Sequence, residues 1–176
     1  DRGHVGLSVA PVVHGAALNF YFAYLLLGAT FVVSGRYDPE AALRLIQRHG
    51  ATEVMAVGPQ ILQMCDVAEA TGHRPTTLRL IRTGGSSYPV SLVERMRRAL
   101  GADLVNTYGM TENCANSTVM RTDLDPPAKW TSIGRASVFW QVRLIGMEEG
   151  GEAGPEAVIQ PPGRGQVIVK GPQNIR

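Results

Sequence analysis

The sequence predicts an α/β fold, a doubly wound βαβ-type sheet followed by the start of a β-rich subdomain. Three observations predict it. Strand-like runs begin about every two dozen residues through most of the chain, the repeat length of one strand–helix unit. The segments between them carry helix start and stop signals. From Trp130 onward helical periodicity disappears and β-branched runs take over. The expected division is residues 1–128 as the α/β part and residues 129–176 as a partial β-rich subdomain.

Bulk properties narrow the class. A chain of 176 residues can bury a core, and one domain is the default. With 44% apolar and 18% charged residues it reads as globular and not as disordered. The net charge of +2, without a clustered basic face and interleaved aromatics, argues against a nucleic-acid partner. Cys65 and Cys114 form no CxxC and the histidines are scattered, so neither a zinc site nor a disulfide framework is expected. A reducing cytoplasm suits this usage. No secretion signal is read at Asp1–His4.

In chain order, residues 7–13 read as a short strand running into a turn. Residues 16–33 are nearly all apolar and approach the length of a membrane span. Asn19, Gly28 and Thr30 interrupt them and no Lys or Arg flanks them. The expectation is therefore a buried helix followed by a buried strand, Thr30 to Val33, with no transmembrane segment. Asp38-Pro39-Glu40 supplies a cap, a proline at the first helical position and an early acid, so a helix should run to His49 and stop at Gly50. A strand follows over 53–57. Gly58-Pro59 opens a helix whose Ile61, Met64, Cys65 and Ala68 share one buried face. Residues 78–83 form the next strand, ending in Gly84-Gly85-Ser86-Ser87-Tyr88-Pro89. A helix over 90–100 turns Val93, Met96 and Leu100 inward, sets Glu94 to pair with Arg97 or Arg98, and ends at Gly101.

The strand over 103–107 then delivers Tyr108-Gly109-Met110-Thr111-Glu112. A glycine at this strand exit allows a sharp turn, and ligands of open α/β sheets bind at such carboxyl ends. Tyr108 can stack on a purine, Thr111 can donate to a phosphate oxygen, and Glu112 can hold Mg²⁺, a hard cation suited to oxygen ligands. On spacing alone the same residues also describe a strand end with a solvated carboxylate. Residues 113–119 read as a strand lining a pocket, 123–129 as a surface loop, and 140–145 and 166–170 as strands joined by a loop over 146–165.

Tyr108-Gly109-Met110-Thr111-Glu112 resembles the Tyr-Gly-x-Thr-Glu motif of the adenylate-forming superfamily: acyl- and aryl-CoA synthetases, peptide synthetase adenylation domains and beetle luciferases. Further segments are similar to the family's in the same order. They are Pro11-Val12-Val13-His14, Gly84-Gly85-Ser86 with Pro89, Ser132-Ile133-Gly134-Arg135, and Gly165 to Pro172. Val13 departs from the aromatic residue usual before the histidine.

The resemblance implies part of the large N-terminal domain of an AMP-binding ligase. The implied reaction is ATP-dependent activation of a carboxylic acid to an acyl-adenylate and transfer to a thiol, with coenzyme A expected. It implies Thr111 and Glu112 as catalytic groups, Glu112 as the Mg²⁺ ligand, and Gly84, Gly85, Ser86, Tyr108, Gly109, Met110 and Thr111 as the nucleotide site. His14, Asn113 and Cys114, with Ala115 and Asn116, are placed by it near the acid. The family's phosphate loop, ribose-binding Asp and mobile C-terminal lid with its lysine are not found in the 176 residues, so the chain reads as a fragment without full catalysis. The alternatives are a peptide synthetase adenylation domain that loads a carrier protein, and a non-catalytic α/β binding module.

Overall fold

The computed structural model describes residues 3–114, 116–146, 158–159 and 163–172. Seven strands form one sheet: Val5–Ser8 (β1), Thr30–Val33 (β2), Glu53–Met55 (β3), Leu80–Gly84 (β4), Asp103–Tyr108 (β5), Thr118–Arg121 (β6) and Arg135–Ala136 (β7). Their order is β2-β1-β3-β4-β5-β6-β7, parallel through β5, with β6 and β7 antiparallel at the far edge. Four helices connect the parallel strands: Gly15–Leu26 (α1), Pro39–His49 (α2), Gly58–Thr71 (α3) and Val90–Leu100 (α4). Gln141–Ile145 (β8) and Gln166–Lys170 (β9) pair as a separate antiparallel ribbon.

Helix placement follows from the handedness of the crossovers. The chain steps outward once, from β1 to β2, then returns past β1 and proceeds through β3, β4 and β5. Right-handed connections running in opposite directions put their helices on opposite faces. Helices α2, α3 and α4 thus cover one face, where Ile46, Ile61, Met64, Cys65, Val93, Met96 and Leu100 close over Leu7, Val54, Ile81 and Leu104. Helix α1 lies on the other face, with Ala17, Phe20 and Tyr24 against Ala10 and Met55.

The helix ends form for the reasons read from the sequence. Asp38 Oδ1 accepts from the Ala41 N–H at 2.7 Å, and Gly50 closes α2 in the left-handed region at φ 62°. Glu94 pairs with Arg98 at 3.8 Å. Cys65 is fully buried, and burial pushes its thiol up to about 11, as suits a packing residue.

Several expectations need correction. The first strand covers Val5–Ser8 and not residues 7–13; Pro11 cannot donate to a ladder, and its carbonyl instead accepts from the His14 N–H at 3.0 Å to close a turn. The strand expected over 53–57 stops at Met55, and the one expected to begin at 78 begins at Leu80. The stretch after Glu112 is a short 3₁₀ turn, Thr111–Asn113, before β6 begins at Thr118. The large sheet runs past residue 128, because β7 pairs with β6. Ala115 and most of the loop over 146–165 lie outside the described residues.

The largest correction concerns residues 16–33. Helix α1 buries only one stripe and exposes Phe22, Leu25, Leu26 and Leu27, the last three at 58%, 86% and 64%. Strand β2 is the sheet edge, with Thr30 and Val33 exposed. Apolar composition predicts burial but does not say what covers each side. Among the described residues, no helix is long and apolar enough to cross a membrane.

Beneath α1 lies a polar tie that no local pattern announces. Tyr24 donates its hydroxyl to Glu53 Oε2 at 2.8 Å, and Arg82 Nε donates to Glu53 Oε1 at 2.9 Å. Desolvation, and then the neighbouring Glu53 charge, hold the Tyr24 phenol above its ordinary range. The Tyr24 ring rests on Gly6, where a Cβ would come within 2.7 Å of Cζ.

Candidate functional site at the strand ends

The carboxyl ends of β3, β4 and β5 open on one side of the sheet, where the chain changes direction and α1 begins. Two recesses lie there. The first, about 540 Å³, is lined by His14 to Ala16 at the start of α1, Val57 to Pro59 at the start of α3, Gly84 to Ser86, Thr107 and Gly109 to Thr111. The second, about 300 Å³, is lined by Gly85 to Ser87, Asn106 to Gly109, Ser132 and Ile133. Gly85, Ser86, Thr107 and Gly109 belong to both and form the ridge between them.

The loop after β4 is shaped by absent side chains. A Cβ at Gly84 would stand 2.8 Å from the Thr107 carbonyl oxygen, so only glycine lets β4 run this close to β5 at its end. Gly85 turns the chain at φ +79°. Three hydrogen bonds then fix the loop. Thr107 Oγ1 donates to the Thr83 carbonyl at 3.1 Å, Asn106 Nδ2 donates to the Ser86 carbonyl at 3.0 Å, and Ser87 Oγ donates to the Thr131 carbonyl at 2.8 Å.

The loop after β5 is shaped by polar groups. The Met110 N–H donates to Asn113 Oδ1 at 2.9 Å, and Asn113 Nδ2 donates to Ser117 Oγ at 2.7 Å. The Cys114 N–H donates to the Thr111 carbonyl at 3.2 Å, which closes the turn that carries Glu112. Cys114 sits in the left-handed region at φ 55°, unusual for a residue with a Cβ, and its carbonyl accepts from Asn19 Nδ2 of α1 at 2.9 Å. Among the described residues Glu112 is exposed and its side chain has no hydrogen bond or ion pair.

The structure therefore brings together His14, Gly84, Gly85, Ser86, Gly109, Met110 and Thr111 on one recess, and sets Tyr108 on the other. Glu112 stands just outside both. Asn113 is buried and committed to the loop scaffold, and Cys114 is exposed beyond it. No group of three or more His, Cys, Asp or Glu side chains gathers among the described residues. A lone free carboxylate beside a hydroxyl still suits Mg²⁺, which commonly takes one or two protein carboxylates and completes its shell with water and substrate phosphates.

Sequence reasoning gave Asn106 no role. Its nitrogen faces the Ser86 carbonyl, which can only accept, so Oδ1 faces the other way and is buried without a partner in the wall of the second recess. Leaving such an acceptor unmatched costs about 1–3 kcal/mol. The available signal was one amide among the apolar and β-branched residues of β5. Thr107 and the wall from Val57 to Pro59 carry no sequence signal of their own. A shallower basin of about 600 Å³ at the other pole is lined by Arg74, Arg97 and Arg98. There Arg97 is held by Asp103 at 2.9 Å and Arg98 by Glu94, and no strand's carboxyl end points into it.

Known proteins resemble this chain in sequence and fold. The family model described as AMP-binding enzyme matches residues 1–176. Pyochelin synthase PchD of Pseudomonas aeruginosa is 33% identical across the whole chain, which covers 31% of that protein. The 2-succinylbenzoate–CoA ligase of Bacillus subtilis is 28% identical, again across the whole chain and 33% of the ligase. The solved structure of O-succinylbenzoate coenzyme A synthetase from Bacillus subtilis, in complex with ATP and magnesium ion, superposes with a TM-score of 0.82 at 26% identity. That superposition covers 100% of this chain and 34% of the synthetase. The chain thus spans about a third of the length of these relatives.

Proposed function

The chain belongs to the AMP-binding enzyme family, and from that premise we propose that the whole protein activates a carboxylic acid with ATP and passes the acyl group to coenzyme A. One observation carries the reading: the Tyr108–Glu112 segment stands between two recesses that share the Gly85–Ser86 ridge. The second recess takes the base. Tyr108 offers an aromatic face; such stacking is worth about 1–3 kcal/mol per base in nucleic-acid complexes. The orphan Oδ1 of Asn106 is an acceptor waiting for an amino group, which adenine presents at its 6-position and guanine does not. The first recess takes the acid. Among the described residues His14 is its only titratable lining group, and no carboxylate lines it to receive a substrate ammonium. That favours a plain acid over an amino acid. The acyl-CoA ligases among the relatives favour coenzyme A over a carrier-protein thiol.

In the proposed reaction an acid oxygen forms a bond to the α-phosphorus while the bond to the pyrophosphate oxygen breaks. Pyrophosphate leaves and the acyl-adenylate remains. The thiol then adds to the acyl carbon, AMP departs with the bonding pair, and the thiol proton is lost. Bringing two anions together is the hard part, and Thr111 offers a hydroxyl to the developing charge. Mg²⁺, when bound at Glu112, would supply charge neutralisation. The site of action is the cytoplasm, where these substrates meet.

The test is acid-dependent ATP–pyrophosphate exchange by the whole protein over a panel of straight-chain and aryl acids, with coenzyme A consumption followed separately. Exchange with ATP and not with GTP is expected, with coenzyme A consumed. Exchange that needs an amino acid would favour the peptide synthetase reading. A folded protein that exchanges with no acid would favour the non-catalytic module.

A further inference from the structure

We propose that Tyr88 is a positioning residue that sets the width of the acid-side recess, and thereby the size of acid the protein accepts. The inference rests on the reading of that recess as the acid site.

Tyr88 touches no substrate space. It is 5% exposed, belongs to the core and does not line the recess. Its ring stands behind the wall formed by Val57, Gly58 and Pro59. A Cβ at Gly58 would lie 2.9 Å from the Tyr88 hydroxyl and 3.0 Å from Cε1, so the phenol occupies the space a side chain at position 58 would need. The same hydroxyl is 3.1 Å from Thr83 Oγ1, and the Thr83 carbonyl accepts from Thr107 Oγ1. A continuous strut therefore runs from the first residue of α3 through Tyr88 to β4 and on to β5.

The wall is held from its other side as well. Gln60 Oε1 accepts from the Val57 N–H at 3.1 Å, and Gln60 Nε2 donates to the Val9 carbonyl at 3.1 Å. The start of α3 is thus clamped between Gln60 and Tyr88, and the recess spans the gap between this wall and Gly84 to Ser86. Interiors are close-packed, so a change in the volume of the spacer is passed to the wall it supports. Gly58 and Tyr88 act as one device: the missing side chain at one position makes room for the large ring at the other.

The experiment measures kcat/KM of the whole protein for a graded series of straight-chain carboxylic acids in ATP–pyrophosphate exchange. Tyr88→Leu, Gly58→Ala, Tyr88→Phe and the double variant Gly58→Ala/Tyr88→Phe are compared with wild type. Tyr88→Leu is expected to shift the preference toward longer acids by about fivefold or more, in the range a methylene or less of pocket space provides, while the KM for MgATP stays within about twofold. Gly58→Ala is expected to depress kcat/KM. The added Tyr88→Phe change should recover part of that loss, because removing the hydroxyl clears the nearest contact while Cε1 stays 3.0 Å from the new Cβ.

A merely structural Tyr88 would lower kcat/KM for all acids by a common factor. That result in folded Tyr88→Leu, or a Gly58→Ala defect of equal size with and without Tyr88→Phe, overturns the inference. Should Tyr88→Leu fail to fold, the comparison of Gly58→Ala with the double variant decides alone. Wild-type exchange with an unmoved acid profile refutes this inference only; no wild-type exchange with any acid removes the acid-activation reading and this inference with it.

Discussion

The two loops that meet at the site are built by opposite means. The loop after β4 is specified by what its residues lack: Gly84 has no Cβ to strike the Thr107 carbonyl, and Gly85 has none to oppose φ +79°. The loop after β5 is specified by what its residues offer. Asn113 spends both ends of its amide on the turn, and Asn19 reaches across from α1 to the Cys114 carbonyl. The first device lets β4 lie against the Thr107 backbone at its end. The second holds a turn rigid while leaving the Glu112 carboxylate unengaged. In the proposed reaction the close floor would meet the nucleotide and the free carboxylate would hold Mg²⁺.

The contrast can be broken experimentally. Gly84→Ala should cost the most, about 2–3 kcal/mol in urea denaturation, because the added methyl meets backbone that cannot step aside. A loss below about 0.5 kcal/mol would show that β4 and β5 can separate there. Asn113→Ala should cost about 2 kcal/mol, since it strips the acceptor from the Met110 N–H and the partner from Ser117. Gly85→Ala should cost about 1–2 kcal/mol, the penalty of one left-handed residue with a Cβ. Smallest in stability terms is a difference in thiol reactivity. Exposed Cys114 should react with a disulfide reagent in the native protein at pH 8, whereas buried Cys65, its thiol pushed up to about 11, should wait for unfolding. The sign follows from burial favouring the neutral thiol: Cys65's contribution to stability is whole below the ordinary thiol range and is lost as pH rises toward 11.

Much of the fold was legible because its signals are local. Asp38, Pro39 and Gly50 define α2 within a dozen residues, and Ile61, Met64, Cys65 and Ala68 define the buried face of α3. The lining of the candidate recesses was legible where a motif falls at a strand end, as at Gly84-Gly85 and Tyr108 to Thr111. What escaped depends on partners distant in sequence. Tyr24, Glu53 and Arg82 are each 29 residues from the next in their chain of contacts, and nothing near any of them announces the tie. Among the described residues α1 lies alone on its face, which leaves Phe22 and Leu25 to Leu27 exposed; strand order sets this and periodicity does not encode it. Asn113, expected beside the acid, is buried in the turn because its amide satisfies backbone that the turn leaves open.

We propose that the free Glu112 carboxylate serves acid activation. It is tested most directly by ATP–pyrophosphate exchange of the whole protein, wild type against Glu112→Gln, with thermal melts of both. Acid-dependent exchange should fall about 100-fold or more in the variant, the scale of removing one group that stabilises transition-state charge. The melting temperature should be unchanged, because among the described residues the side chain has no partner to lose. Exchange within about twofold of wild type would contradict the proposal, as would a fall in rate matched by a fall in melting temperature.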